Sequence, residues 1–158
     1  MAQPDKIPAN DTGPGIVDTV LGEMIGYRLK RAYMQTQPAA LRALEEHGLR
    51  MVSFSCLSII TDNPGIVQSG LAVALQVERS NLVVVLDELE ERGLITRERV
   101  PTDRRRYALT ATLRGRRLRD RAAGRAHEAE AKVFARLSEE ERTFLLTILK
   151  RFEDKPES

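Results

Sequence analysis

Twelve arginines fall between Arg92 and Arg125, against three acids, Glu98, Asp103 and Asp120. Guanidinium groups at this density suit one kind of chemistry. They hold phosphate through forked, charge-assisted hydrogen bonds and displace counterions from a polyanion. Much of the remaining negative charge is set to either side, at Asp87 to Glu91 and Glu128 to Glu141. A local field therefore exists that the formal net charge of +2 conceals. The plainer alternative is a solvated basic face. The run Arg104-Arg105-Arg106 is the densest part of the cluster and follows the turn-forming Pro101-Thr102-Asp103. Upstream, Ser80 and Asn81 offer hydroxyl and amide groups that can meet base edges or phosphates, and Val84 offers two methyl groups.

Catalytic chemistry has few candidates. His47 and His127 are the only histidines and Cys56 the only cysteine. No glycine-rich phosphate loop or metal-ligand spacing is present. The expectation is a protein that is not an enzyme and takes no cofactor and no metal. Cys56 lies within the apolar segment Met51 to Ile60, which reads as inert packing, and a lone cysteine suits a reducing compartment. No apolar run approaches the roughly 20 residues that span a bilayer. Residues 1–15, with Pro4, Pro8, Gly13, Pro14 and Gly15, lack the apolar core of a signal peptide and read as a flexible tail. These features together point to a cytoplasmic protein with no membrane partner.

The elements that must position the basic cluster follow from hydrophobic spacing. Val20, Leu21, Met24, Ile25, Leu29, Ala32 and Tyr33 recur at helical intervals from Asp18 to Thr36, with Pro38 close behind. Ala39 to Glu46 reads as a separate short helical piece closed by Gly48. Met51 to Thr61 reads as a third, stopped by Asn63-Pro64-Gly65. Two segments then follow in quick succession, Gln68 to Leu75 and Arg79 to Arg92, the second ended by Gly93. Leu82, Val85, Leu86 and Leu89 form one stripe of the second, and Leu71, Ala72 and Leu75 face it from the first. Two short helices with a tight connection are a helix-turn-helix pattern.

Leu94 to Val100 and Arg106 to Leu109 read as extended, a hairpin placed where a wing belongs. From Thr112 a long helix is expected to about Leu137, with a narrow face of Leu118, Ala122, Ala126, Ala129, Val133 and Leu137. Gly115 and Gly124 weaken it by roughly 1 kcal/mol each relative to alanine. Ser138 and Glu141 make a capping box for a last helix carrying Phe144, Leu145, Ile148, Leu149 and Phe152. With aromatics at 4% and no tryptophan, a subunit of this kind commonly completes its core by pairing with a copy of itself. The fold class is thus mainly α with a small β-hairpin wing.

Four stretches, in this order and spacing, resemble the MarR family of winged helix-turn-helix regulators. They are Asn63-Pro64-Gly65 with Gln68-Ser69-Gly70-Leu71-Ala72; Glu78-Arg79-Ser80-Asn81-Leu82 running into Leu86-Asp87-Glu88-Leu89-Glu90-Glu91-Arg92-Gly93-Leu94; Asp103-Arg104-Arg105 with Leu109-Thr110; and Leu137-Ser138-Glu139-Glu140-Glu141. The resemblance spans roughly Leu21 to Phe152. It implies a single domain over 16–152, with dimerisation helices at 16–50 and 112–152 around a winged lobe at 51–111, and a second tail at 153–158.

It also implies a homodimer whose two lobes grip a pseudo-palindromic operator on double-stranded DNA. The recognition helices enter major grooves and each wing tip places an arginine, here Arg105, in the flanking minor groove. Asp103 would steady the wing by an ion pair. Ser80, Asn81, Val84, Arg104, Arg105 and Arg106 are the DNA-binding candidates, and among the wing arginines Arg97, Arg99, Arg104 and Arg106 read as phosphate contacts or solvated partners of Glu98.

Two positions depart from the family pattern. Val83 and Val84 stand where Ser or Thr followed by Arg is common, which replaces polar base readout with apolar groups. Val67 stands where a capping Thr is common and cannot accept the orphan N–H bonds of a helix start. Stepping about 100° per residue from Leu82 places Val84 nearly opposite the buried stripe, where a thymine methyl would be its partner. Ser80 fits a capping role as well as DNA contact.

The resemblance further implies repression relieved by a small aromatic or phenolic acid or its CoA thioester, bound in a cleft lined by the first helix, the Met51 helix and the start of the long helix. Tyr27, Arg31, Tyr33, Met51 and Phe54 are the candidate contacts. Core or surface roles are the alternative for each. The rival functional classes are a winged-helix protein-interaction module and an architectural DNA-binding protein without effector response.

Overall fold

The computed structural model describes residues 19–100 and 103–153, the first three residues of the second stretch by backbone alone. The chain divides into two units, the first up to Gln37 and the second from Pro38. In the first, a short 3-10 turn (Leu21–Glu23) precedes the opening turns of helix α1 (Ile25–Glu45). Arg28 Nε donates to the Gly22 carbonyl at 2.6 Å, which ties the turn to the helix. Val20, Met24, Ile25, Leu29, Tyr33 and Met34 of this unit are all exposed.

Helix α1 continues through Pro38, where the sequence reading placed a break. An interior proline removes one hydrogen bond and costs about 3 kcal/mol. The helix formers Ala39, Ala40, Leu41 and Arg42 carry the helix past it, so the two expected pieces are one element.

The second unit holds α2 (Met51–Asp62), β1 (Ile66–Val67), α3 (Gln68–Leu75), α4 (Arg79–Glu91), β2 (Ile95–Val100), β3 (Asp103–Ala111), α5 (Leu113–Val133) and α6 (Glu139–Glu153). Its core gathers Leu57 and Ile60 from α2, Leu71 from α3, Leu82, Leu86 and Leu89 from α4, Leu94 and Ile95 leading into β2, Leu109 from β3 and Ala122 from α5, all at most 1% exposed. Burying each leucine is worth about 2 kcal/mol, so the lobe is held by side chains drawn from six elements at once.

The three strands form an antiparallel sheet in the order β1-β3-β2. Strand β1 was absent from the sequence reading because two residues carry no period. Its pairing of Ile66 with Leu109 and Val67 with Ala108, with Gly65 N donating to Leu109 O at 2.9 Å, exists only through β3. That added partner, together with β2, extends β3 beyond the expected Arg106 to Leu109 in both directions. The hairpin register pairs Ile95 with Ala111 and Arg99 with Tyr107, then shifts at Val100, which pairs with Asp103.

Helix α4 ends in a left-handed turn at Gly93 (φ +66°), with Leu94 N bonded to Leu89 O and Gly93 N to Glu90 O. Only glycine takes this conformation at no steric cost, and the paired bonds satisfy the helix's last carbonyls. Thr112 then joins three elements. Its hydroxyl donates to Gly93 O at 2.8 Å and accepts from Gly115 N at 3.0 Å, capping α5. A β-carbon on Gly115 would stand 2.0 Å from Leu94 O, so this glycine, expected to weaken α5, is what lets the helix dock. Helix α5 stops at Val133, a turn earlier than expected, because residues 134–136 form a turn closed by Leu137 N to Phe134 O. The capping box forms as read: Ser138 N donates to Glu141 Oε2 at 2.7 Å and Glu141 N to Ser138 Oγ at 3.1 Å.

Candidate nucleic-acid interface

Helices α3 and α4 meet with the chain bending by 113°, through a turn at Gln76 held in the left-handed region (φ 53°). Leu71 and Ala72 of α3 and Leu82, Val85, Leu86 and Leu89 of α4 are buried together, as their stripes require. What remains outside on α4 is therefore fixed by helix geometry. Ser80 and Asn81 are exposed in its first turn, Val84 is 68% exposed and Val83 45%. The N-cap of α4 is Glu78, with no side-chain cap bond, so Ser80 is not the capping residue. Val67 likewise precedes α3 without a side-chain cap.

Ion pairs flank the outer face that the buried stripe leaves on α4. On one flank Arg97 of β2 bonds Asp87 and places Nε 3.2 Å from Glu90. On the other, Arg50, at the start of α2, reaches Glu88 at 2.6 Å, while Arg92 reaches Glu88 at 3.5 Å and donates to Gly48 O at 2.8 Å. Arg97 is thus a brace between wing and helix. This corrects its reading as a phosphate contact or a partner of Glu98: Glu98 lies on the opposite face of β2, whereas Asp87 and Glu90 present two carboxylates to the Arg97 face. Arg50 was missed altogether, since nothing in sequence links it to a residue 38 positions away.

The same pairs answer an electrostatic problem. Asp87, Glu88 and Glu90 follow the exposed first turns of α4, where uncompensated carboxylates would repel a phosphate backbone. Three guanidinium groups offset them locally.

On the wing, Arg99 and its cross-strand partner Tyr107 lie on the Arg97 face and are exposed, and Arg106 is exposed on the other. The backbone of Arg104 and Arg105 belongs to β3, but their side chains, with that of Asp103, lie outside the described residues. The ion pair expected of Asp103 lies outside them too.

The effector candidates fall on two elements. On α1, the Arg31 guanidinium stands 5.9 Å from the centroid of the half-buried Tyr27 ring, within cation–π range. The exposed Tyr33 accepts a 2.7 Å bond from Gln37 Nε2. On α2, Met51 is 38% exposed and Phe54 packs half-buried against the lobe core. Cys56 is fully buried, and burial pushes its thiol up to about 11, the wrong direction for a reactive thiolate. Among the described residues no group of acidic, histidine and cysteine side chains is placed to hold a metal ion, and no single helix is long and apolar enough to cross a membrane.

A helix-turn-helix followed by a hairpin, with an outward polar-and-methyl face on the second helix and a basic wing, defines a winged-helix DNA-binding protein. The MarR family model matches residues 49–107. A relative from Thauera aromatica, named for transcriptional regulation of the hcr operon, is 37% identical over 91% of this chain and 87% of its own. A MarR family regulator from Rhodococcus sp. RHA1 superposes with a TM-score of 0.79 at 33% identity, over 85% of this chain and 96% of that one. The repressor CouR is similar in two states. Bound to a 23-mer DNA duplex it gives a TM-score of 0.79 at 36% identity, over 85% of this chain and 95% of that one. CouR from Rhodococcus jostii RHA1 bound to p-coumaroyl-CoA gives 0.77 at 32%, over 89% and 99%. This chain belongs to the MarR family and is a DNA-binding transcriptional regulator.

Proposed function

We propose that the protein is a cytoplasmic homodimeric repressor that binds a pseudo-palindromic operator and releases it when a small aromatic or phenolic acid, or its CoA thioester, binds. The observation that carries this is the division of exposed surface. The outer face of α4 presents Ser80, Asn81 and Val84 without internal partners, while α6 buries no residue and leaves Phe144, Leu146, Ile148 and Phe152 in solvent. The first is a face for bases, the second a face for another copy of the chain. A groove of about 250 Å³ between α5 and α6, lined by Phe134, Leu145, Leu146 and Leu149 among others, gives that copy a seat.

Arg105 enters the minor groove, where a guanidinium suits a narrow, electronegative channel, and Arg104 and Arg106 hold phosphates. The likeness to CouR supports an acyl-CoA or aromatic-acid effector. Tyr27, Arg31 and Tyr33 on α1, and Met51 and Phe54 on α2, are its proposed contacts, each on its own element.

The test is an anisotropy titration of the protein against its own promoter region across a salt series. Arg105→Ala should weaken binding by about 1–3 kcal/mol and lower the salt slope by about one unit. Unchanged affinity would remove the wing from the interface. In the same assay p-coumaroyl-CoA and simple aromatic acids should displace the duplex and raise the melting temperature. If a panel of such compounds changes neither, the effector half of the proposal fails while the DNA half stands.

A further inference from the structure

The two ion-pair flanks of α4 show which of its residues face outward between them. At 3.6 residues per turn, Val84 lies opposite the buried stripe of Leu82, Leu86 and Leu89, in line with Ser80 one turn before it. Val83 lies on the flank of Asp87 and Glu90, the side braced to the wing by Arg97. The helix therefore presents a polar first turn, then two adjacent β-branched side chains that reach solvent, then Asp87, Glu88 and Glu90, each paired with an arginine, and the exposed Glu91. Val84 and Val83 remain 68% and 45% exposed. Neither carries a hydrogen-bond donor or acceptor, so neither can distinguish O4 of thymine from N4 of cytosine. The one apolar group that a base pair offers in the major groove is the methyl on pyrimidine C5. A valine facing it reads the methyl and not the base. 5-Methylcytosine presents that methyl at the same ring position; cytosine and uracil lack it.

We propose that Val83 and Val84 are methyl-reading specificity residues, and that operator affinity consequently responds to C5 methylation of cytosine at the steps they contact. This rests on the reading of α4 as the element that enters the major groove of a specific operator.

The experiment uses wild-type protein and a duplex selected by it from a random pool. Each pyrimidine of a half-site is varied in turn as thymine, deoxyuridine, cytosine or 5-methylcytosine. At one or two adjacent steps, removing a single methyl (thymine to uracil, or 5-methylcytosine to cytosine) should weaken binding roughly fourfold, the worth of one buried methyl. Val84→Ala should abolish that difference at one step and Val83→Ala at its neighbour. Val84→Thr, which keeps one γ-methyl, should retain part of it.

Both side chains are exposed, so the variants should fold, which melting curves would check. Equal binding of thymine and uracil at every step overturns the proposal, as does a methyl effect that persists in the Val83→Ala/Val84→Ala double variant. Failure to select any sequence over random duplex overturns the underlying reading of a specific operator, a different result from selection without methyl dependence.

Discussion

The winged lobe and helix α6 carry the same kind of amphipathic pattern and meet opposite fates. In the lobe, Leu57, Leu71, Leu82, Leu86, Leu89 and Leu109 are at most 1% exposed. On α6, Phe144 is 67% exposed and Phe152 80%, and no residue of that helix is buried. Hydrophobic spacing states that a face is apolar; it does not state what covers it. The lobe covers its own faces, because α2, α3, α4, α5 and the sheet converge on one centre. Helix α6 leaves Phe144, Leu146, Ile148 and Phe152 in solvent, and this is the face that the proposed second copy would cover.

That contrast can be broken most severely inside the lobe. Leu86→Ala, at a fully enclosed site, should cost about 2–5 kcal/mol in urea unfolding and take DNA binding with it. A loss under 1 kcal/mol would mean that the lobe core tolerates cavities and is not the rigid member of the comparison.

The opposite experiment places Phe144→Glu and Phe152→Glu together on α6. Sedimentation should show dissociation to monomers, while the unfolding free energy measured at low protein concentration moves by no more than about 0.5 kcal/mol, as for exposed substitutions. A dimer that survives both charges would give α6 another role.

Arg97→Gln probes the seam between the sheet and α4. Removing the brace should lower operator affinity about fivefold, the upper range for a partly exposed ion pair, and leave the salt slope unchanged because no phosphate contact is lost. A slope reduced by one unit would make Arg97 a phosphate contact after all.

The smallest effect is a gain. Gln76 holds a left-handed conformation that favours glycine, so Gln76→Gly should stabilise the lobe by about 0.5 kcal/mol in thermal melts, with α4 unmoved. A loss of stability there would show that the Gln76 side chain contributes more than its backbone strain costs.

The winged-helix architecture was legible from the chain alone, for a local reason. Leu82, Val85, Leu86 and Leu89 at helical spacing, Gly93 at a helix end and Ser138 with Glu141 each act within a few residues, and each was found where expected. The site was legible only in part. That Val84 points away from the core follows from 100° per residue. That Arg97 serves Asp87 and Glu90, and that Arg50 serves Glu88, does not, because those partners meet only after the helices pack.

The amino-acid order by itself determined which segments would be helices, which faces would be apolar and where the positive charge would collect, since these depend on neighbours along the chain. Tertiary structure alone decided that Ile66 and Val67 would become a strand and that Gly115 would be indispensable where α5 passes Leu94 O. It also selected the arginines committed to carboxylates of the protein itself. Those outcomes depend on groups distant in sequence coming within a few ångströms, and short-range propensity holds no record of such encounters.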